Sequence, residues 1–140
     1  MMELRKVDDR FAVAAQMQPE ELAALAGEGF TTVICNRPDG EEPGQPPIAA
    51  MRAAAEGAGM TFHHIPVAGS AFPAEAVAAF ADARRGASGK VLAYCRTGMR
   101  AITLDTLANV DGLGAAERIA RAAAAGFDLS ALAGRLAADE

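Results

Sequence analysis

Tryptophan is absent from this chain, tyrosine occurs once, cysteine and histidine twice each, and acidic residues outnumber basic ones for a net charge of -5. Each scarcity excludes something. Two cysteines, Cys35 and Cys95, cannot make a disulfide framework, and a chain of 140 residues needs no staple to fold. His63 and His64 are neighbours in a strand and point to opposite faces, so they cannot chelate one metal together; no metal and no cofactor are expected. The deficit of positive charge argues against nucleic-acid or anionic-membrane partners, so any anion site must be local. No apolar run reaches the length of a membrane span, and no apolar stretch follows the basic start MMELRKVDDR. A soluble cytoplasmic protein is the expectation.

What is present is 51% hydrophobic residue content, enough for a real core in one domain spanning 1–140. Seven prolines and fourteen glycines recur at intervals, as in a compact fold with many short connections. The abundant alanine suggests helices that pack closely through small side chains.

Short apolar runs alternate with amphipathic stretches. FAVAAQ (11–16), FTTVIC (30–35), MTFHHIPV (60–67) and KVLAYC (90–95) read as strands, the last the most apolar and therefore central. Helices are expected from Pro19, Pro47 and Pro73, each proline suiting a first turn, and from Gly98 onward with breaks near Asp111 to Gly114 and at Gly126. Asp128 suits the cap of a final helix. This α/β order predicts a mainly parallel sheet of about four to five strands with helices on both faces. Ligands of such sheets bind beyond the C-terminal strand ends, where Cys35 and Cys95 both fall.

The segment YCRTGMRA, 94–101, carries the most specific signal. A cysteine that ends a buried strand and precedes a helix meets unpaired backbone N–H groups and the positive end of a helix dipole. Arg96 and Arg100 add positive charge, so Cys95 is expected to be a thiolate. Gly98 lets Thr97, Gly98, Met99, Arg100 and Ala101 turn their backbone toward an anion. Upstream, NRPDGEEPGQPP (36–47) is a loop dense in turn formers and long enough to invite a role in binding through Asn36, Arg37 and Asp39. An Asx turn at Asn36 or Asp39 and a solvated Arg37 are the plainer alternatives there.

Together these motifs, with PEELAALAGEGFTTVI, HIPV and AAAAGFDLSAL, resemble the bacterial tyrosine-phosphatase-like family found alone or attached to β-lactamase-like hydrolases, whose members are often labelled sulfur transferases. The resemblance implies a cysteine-phosphatase-like fold with Cys95 as nucleophile and Arg100 as anion clamp. Two features tilt the chemistry toward sulfur. Only four residues separate Cys95 from Arg100, with Ala101 next, whereas phosphatases have five and then Ser or Thr; the shorter loop is similar to that of rhodaneses. Phosphatases also need an acid to protonate a leaving oxygen, because phenol has a pKa of about 10. The loop AGSAFPAE after the third strand offers no Asp.

The leading expectation is therefore a sulfurtransferase that moves a sulfane sulfur from thiosulfate or a persulfide through a Cys95 persulfide to a thiol or cyanide acceptor. A phosphomonoester hydrolase using a Cys95 cysteinyl phosphate, with Asp39 or Glu41 swinging in as acid, is the first alternative. A non-catalytic anion-binding scaffold is the second. Cys35 reads as a core residue, or as a thiol that resolves oxidised Cys95.

Overall fold

The computed structural model describes residues 3–138, so the outermost residues of the expected 1–140 unit lie outside it. Five strands form one sheet: β1 (Leu4–Lys6), β2 (Phe11–Ala14), β3 (Phe30–Cys35), β4 (Thr61–His64) and β5 (Lys90–Tyr94), in the order β1-β2-β5-β3-β4. Only β1 is antiparallel, paired with β2; the others run parallel. KVLAY is central, as its apolar run requires.

Alternation along the strands divides the core in two. Phe11, Val13, Ile34, Val91 and Ala93 face one way and meet Phe80, Ile102, Leu104 and Leu129. Ala12, Ala14, Val33, Cys35, Leu92 and Tyr94 face the other way and meet Leu22, Leu25, Ile48 and Met51. Helices α3 (Ala74–Gly86), α4 (Met99–Ala108) and α5 (Ala115–Ala124) supply the first layer, and α1 (Leu22–Gly27) and α2 (Ile48–Gly57) the second. A short α6 (Ala133–Ala138) ends the described chain.

The prolines act at helix starts. Pro19 opens a 3-10 turn that leads into α1, while Pro47 and Pro73 sit just before α2 and α3 in extended conformation. Among the described residues, no helix is long and apolar enough to cross a membrane.

Register fixes the site. Tyr94 lies opposite both Ala14 and Cys35, and Cys35 lies opposite His64, so four strands end in one row. The chain beyond β4 stays extended alongside β3, with Ile65 N–H on the Cys35 carbonyl at 2.9 Å and Val67 N–H on the Asn36 carbonyl at 3.3 Å. Cys95, Asn36 and Val67 are thereby gathered at one edge of the molecule.

Candidate active site

Cys95 follows the last residue of β5 and is fully buried. Three residues later the backbone reverses at Gly98, whose φ of 97° is a left-handed value open to glycine, and α4 begins at Met99. The turn aims the Gly98 N–H at the Cys95 sulfur, 3.1 Å away. The same sulfur thus sits at the N-terminal end of a ten-residue helix, where unpaired N–H groups favour negative charge. Packing holds the turn from behind: a Cβ on Gly98 would stand 3.0 Å from the Phe127 ring.

Arg100 occupies the first turn of α4. Its Nη1 donates to the Val67 carbonyl at 2.9 Å and to Glu41 Oε2 at 2.8 Å, and its Nη2 donates to Glu41 Oε1 at 2.8 Å. This fork is the strongest geometry available between a guanidinium and a carboxylate. The Glu41 carboxylate, aided by the nearby Cys95 sulfur, holds the Arg100 pKa above its usual value against burial.

Glu41 is shared. Its Oε1 also accepts from Arg37 Nε at 2.8 Å, while Arg37 Nη1 donates to Gln16 Oε1 at 3.0 Å and Nη2 to Glu42 Oε1 at 2.6 Å. All three nitrogens of Arg37 are used, which permits a guanidinium only 1% exposed. Burial disfavours the Arg37 charge, and Glu42 and Glu41 more than offset that, leaving its pKa raised. Hydrogen bonds from Arg100 and then Arg37 outweigh desolvation at Glu41 and bring its carboxyl down to about 2. Glu42 is lowered by Arg37 in the same way.

The remaining sequence candidates separate. Arg96 and Thr97 are exposed; Arg96 pairs with Glu42 at 3.6 Å, and Thr97 Oγ1 accepts the Met99 N–H at 3.3 Å. Met99 projects into solvent, and Ala101 is buried against the core. Asn36 is buried, with Nδ2 donating to the Ile65 carbonyl at 2.9 Å and Oδ1 lacking a partner among the described residues. Asp39 Oδ1 accepts the Ile48 N–H at 3.2 Å, satisfying an orphan donor at the start of α2.

His64 Nε2 lies 2.8 Å from the Arg37 carbonyl. Cys35 is buried beside Tyr94 and directs its thiol to the same carbonyl at 3.5 Å, and burial pushes its pKa up. The sequence reading missed the Val67 carbonyl, the Gln16 amide and Phe127, and it considered Glu41 only as an acid. The one available signal was a pair of consecutive acids in a loop that faces three arginines.

A mainly parallel sheet with a cysteine at the end of its central strand, a tight turn and an arginine on the following helix defines a cysteine-phosphatase-like protein. A family model described as the phosphatase-like domain of β-lactamase hydrolase-like protein matches residues 3–112, and the chain belongs to that family. A β-lactamase hydrolase-like protein of Agrobacterium fabrum is 38% identical over 106 residues, which is 76% of this chain and 25% of that protein. The chain spans 25% to 30% of the length of the curated relatives it matches.

A Neisseria meningitidis structure described as a candidate phosphatase is 36% identical, with a TM-score of 0.83 and coverage of 96% of each chain. Tk-PTP in its active form shares the fold at 21% identity, with a TM-score of 0.72 over 97% of this chain and 94% of its own.

These matches correct the leading expectation. The family model is phosphatase-like and the Neisseria relative is described as a candidate phosphatase, so the expected sulfurtransferase, with thiosulfate or persulfide as donor and a thiol as acceptor, is overturned, and the phosphatase alternative is the better supported reading. Neither argument for sulfur is decisive. A short, rhodanese-like loop does not fix the chemistry by itself: α4 starts directly after Gly98 and still brings the Arg100 guanidinium back to the sulfur. The missing acid restricts the leaving group instead of the chemistry: Glu41, bonded to Arg100 with its carboxyl at about 2, has no proton to give, so leaving groups that depart readily as anions are favoured.

Proposed function

We propose that this protein is a phosphomonoester hydrolase acting through a covalent cysteinyl phosphate. The Cys95 thiolate attacks phosphorus, the P–O bond to the leaving group breaks, and the departing phenolate takes its proton from solvent water; a second water then cleaves the S–P bond, releasing inorganic phosphate and restoring the thiolate. Arg100 and the N–H groups of Thr97 to Ala101 bind the phosphoryl oxygens. Asn36 and Arg37 shape the loop opposite, and Arg96 adds long-range positive charge at the rim. Aryl phosphates suit the site best, since Asp39 is committed to Ile48 and a phenolate leaves more readily than an alkoxide. A catalytic thiol keeps its function where thiols stay reduced, which favours the cytoplasm.

The observation that carries this reading is the buried Cys95 sulfur accepting the Gly98 N–H at the foot of α4. Its test is hydrolysis of an aryl phosphate by the wild type and by Cys95→Ser. Turnover that vanishes in the variant is expected. Turnover that survives Cys95→Ser, or a wild type that never hydrolyses the ester, sinks the proposal.

A further inference from the structure

The oxyanion clamp of this protein is filled by the protein itself. Arg100 lies within reach of the Cys95 sulfur, yet both of its terminal nitrogens are spent on Glu41, with one shared by the Val67 carbonyl. A carboxylate is planar and carries one charge, and here it occupies the guanidinium edge that a phosphoryl group would use. The segment that brings it is tied at both ends. Asp39 holds the Ile48 N–H, and Gln45 Nε2 donates to the Pro38 carbonyl at 2.9 Å. Between them Glu41 and Glu42 lie on a turn bounded by Gly40 and Gly44, both at positive φ.

We propose that Glu41 is a specificity-determining residue: it acts as an internal competitor that restricts the oxyanion site to doubly charged phosphomonoesters and excludes singly charged ligands such as phosphodiesters. A carboxylate anchored in the same chain competes at a high effective concentration. A free monoanion offers Arg100 no more charge than Glu41 already does, and it lacks the tether, so it loses. A phosphomonoester carries nearly two charges near neutral pH. It doubles the Coulomb attraction to Arg100, and its remaining oxygens reach the N–H groups at the start of α4, which Glu41 does not touch. The displaced carboxylate keeps Arg37 as a partner, so its release does not strand a charge.

This inference rests on the phosphatase reading but is tested by binding alone. Alkylation of Cys95 by iodoacetamide is followed at mildly alkaline pH, where inorganic phosphate is mainly a dianion, with inorganic phosphate or dimethyl phosphate as protectant. In the wild type, phosphate is expected to protect and dimethyl phosphate to fail. In Glu41→Gln, phosphate should protect at about tenfold lower concentration, and dimethyl phosphate should now protect as well. Glu42→Gln removes the same charge from the same turn without touching Arg100, and should shift protection by less than about threefold.

Unchanged or weaker phosphate protection in Glu41→Gln overturns the proposal, because Glu41 then positions Arg100 instead of competing for it. An equal shift in Glu42→Gln, continued exclusion of dimethyl phosphate, or no phosphate protection in any protein also overturns it. Loss of the phosphatase reading shows separately, as absent aryl phosphate turnover with the protection pattern intact.

Discussion

Replacing Gly98 by alanine adds one methyl group at the point where the cysteine loop turns into α4. Two costs follow from the geometry. Alanine at a φ of 97° pays about 1–2 kcal/mol for the left-handed backbone. The new Cβ would also lie 3.0 Å from Phe127 Cζ and 3.5 Å from Cε1, and moving that ring within a packed layer costs about 1–3 kcal/mol. The expected loss is about 2–5 kcal/mol, read as a shift in urea midpoint at constant slope. Phe127→Leu should cost about 1 kcal/mol alone, through lost packing.

Combined with Gly98→Ala, Phe127→Leu should instead return part of the damage, giving a favourable coupling of about 1–2 kcal/mol. Aryl phosphate hydrolysis should fall by about tenfold or more in Gly98→Ala, because the N–H that meets the Cys95 sulfur is displaced. A single variant within about 0.5 kcal/mol of wild type, or a double variant whose losses simply add, refutes the claim that Phe127 buttresses this turn.

Asp39→Ala removes the acceptor of the Ile48 N–H and should cost about 1 kcal/mol in stability while leaving aryl phosphate kcat/KM within about threefold. A fall in kcat without a fall in stability would instead make Asp39 a proton donor. Glu41 has its carboxyl lowered from 4.5 to about 2, so the stability it contributes is fully present above pH 4.5 and lost as pH falls through 2. The shift corresponds to about 3 kcal/mol before solvent screening, reduced to about 1 kcal/mol for a partly exposed group. Denaturant unfolding near neutrality and in acid should therefore show a steeper acid loss in the wild type than in Glu41→Gln, and parallel losses would refute the assignment.

The sheet was legible because its strands carry their own pattern: FTTVIC is β-branched and KVLAY is apolar throughout, and both form at the expected places. FAVAAQ and MTFHHIPV form shorter strands than expected, since only Phe11–Ala14 and Thr61–His64 find a ladder. β1 escaped notice because three mostly exposed residues, Leu-Arg-Lys, have no room for a period; an antiparallel partner defines them.

Cys95, Gly98 and Arg100 were readable because strand end, turn and helix start lie within a few residues of each other. Arg37 was not. A surface role and an anion contact looked equal from the sequence, and what buries it is a set of partners contributed by Gln16, Glu41 and Glu42. Asp39 was similarly claimed by a backbone N–H nine residues away. The four-residue spacing of Cys95 and Arg100 misled because loop length alone does not fix the chemistry, and the family this chain belongs to is phosphatase-like.

The proposed mechanism requires a covalent phosphoryl group on Cys95. Rapid acid quench of the wild type during aryl phosphate turnover, followed by mass spectrometry of the peptide containing Cys95, measures it most directly. The expected result is one phosphoryl group on that peptide, absent in Cys95→Ser and absent from the Cys35 peptide. Steady turnover with no phosphorylated Cys95 at any quench time, or a sulfur adduct on Cys95 in place of phosphorus, would contradict it.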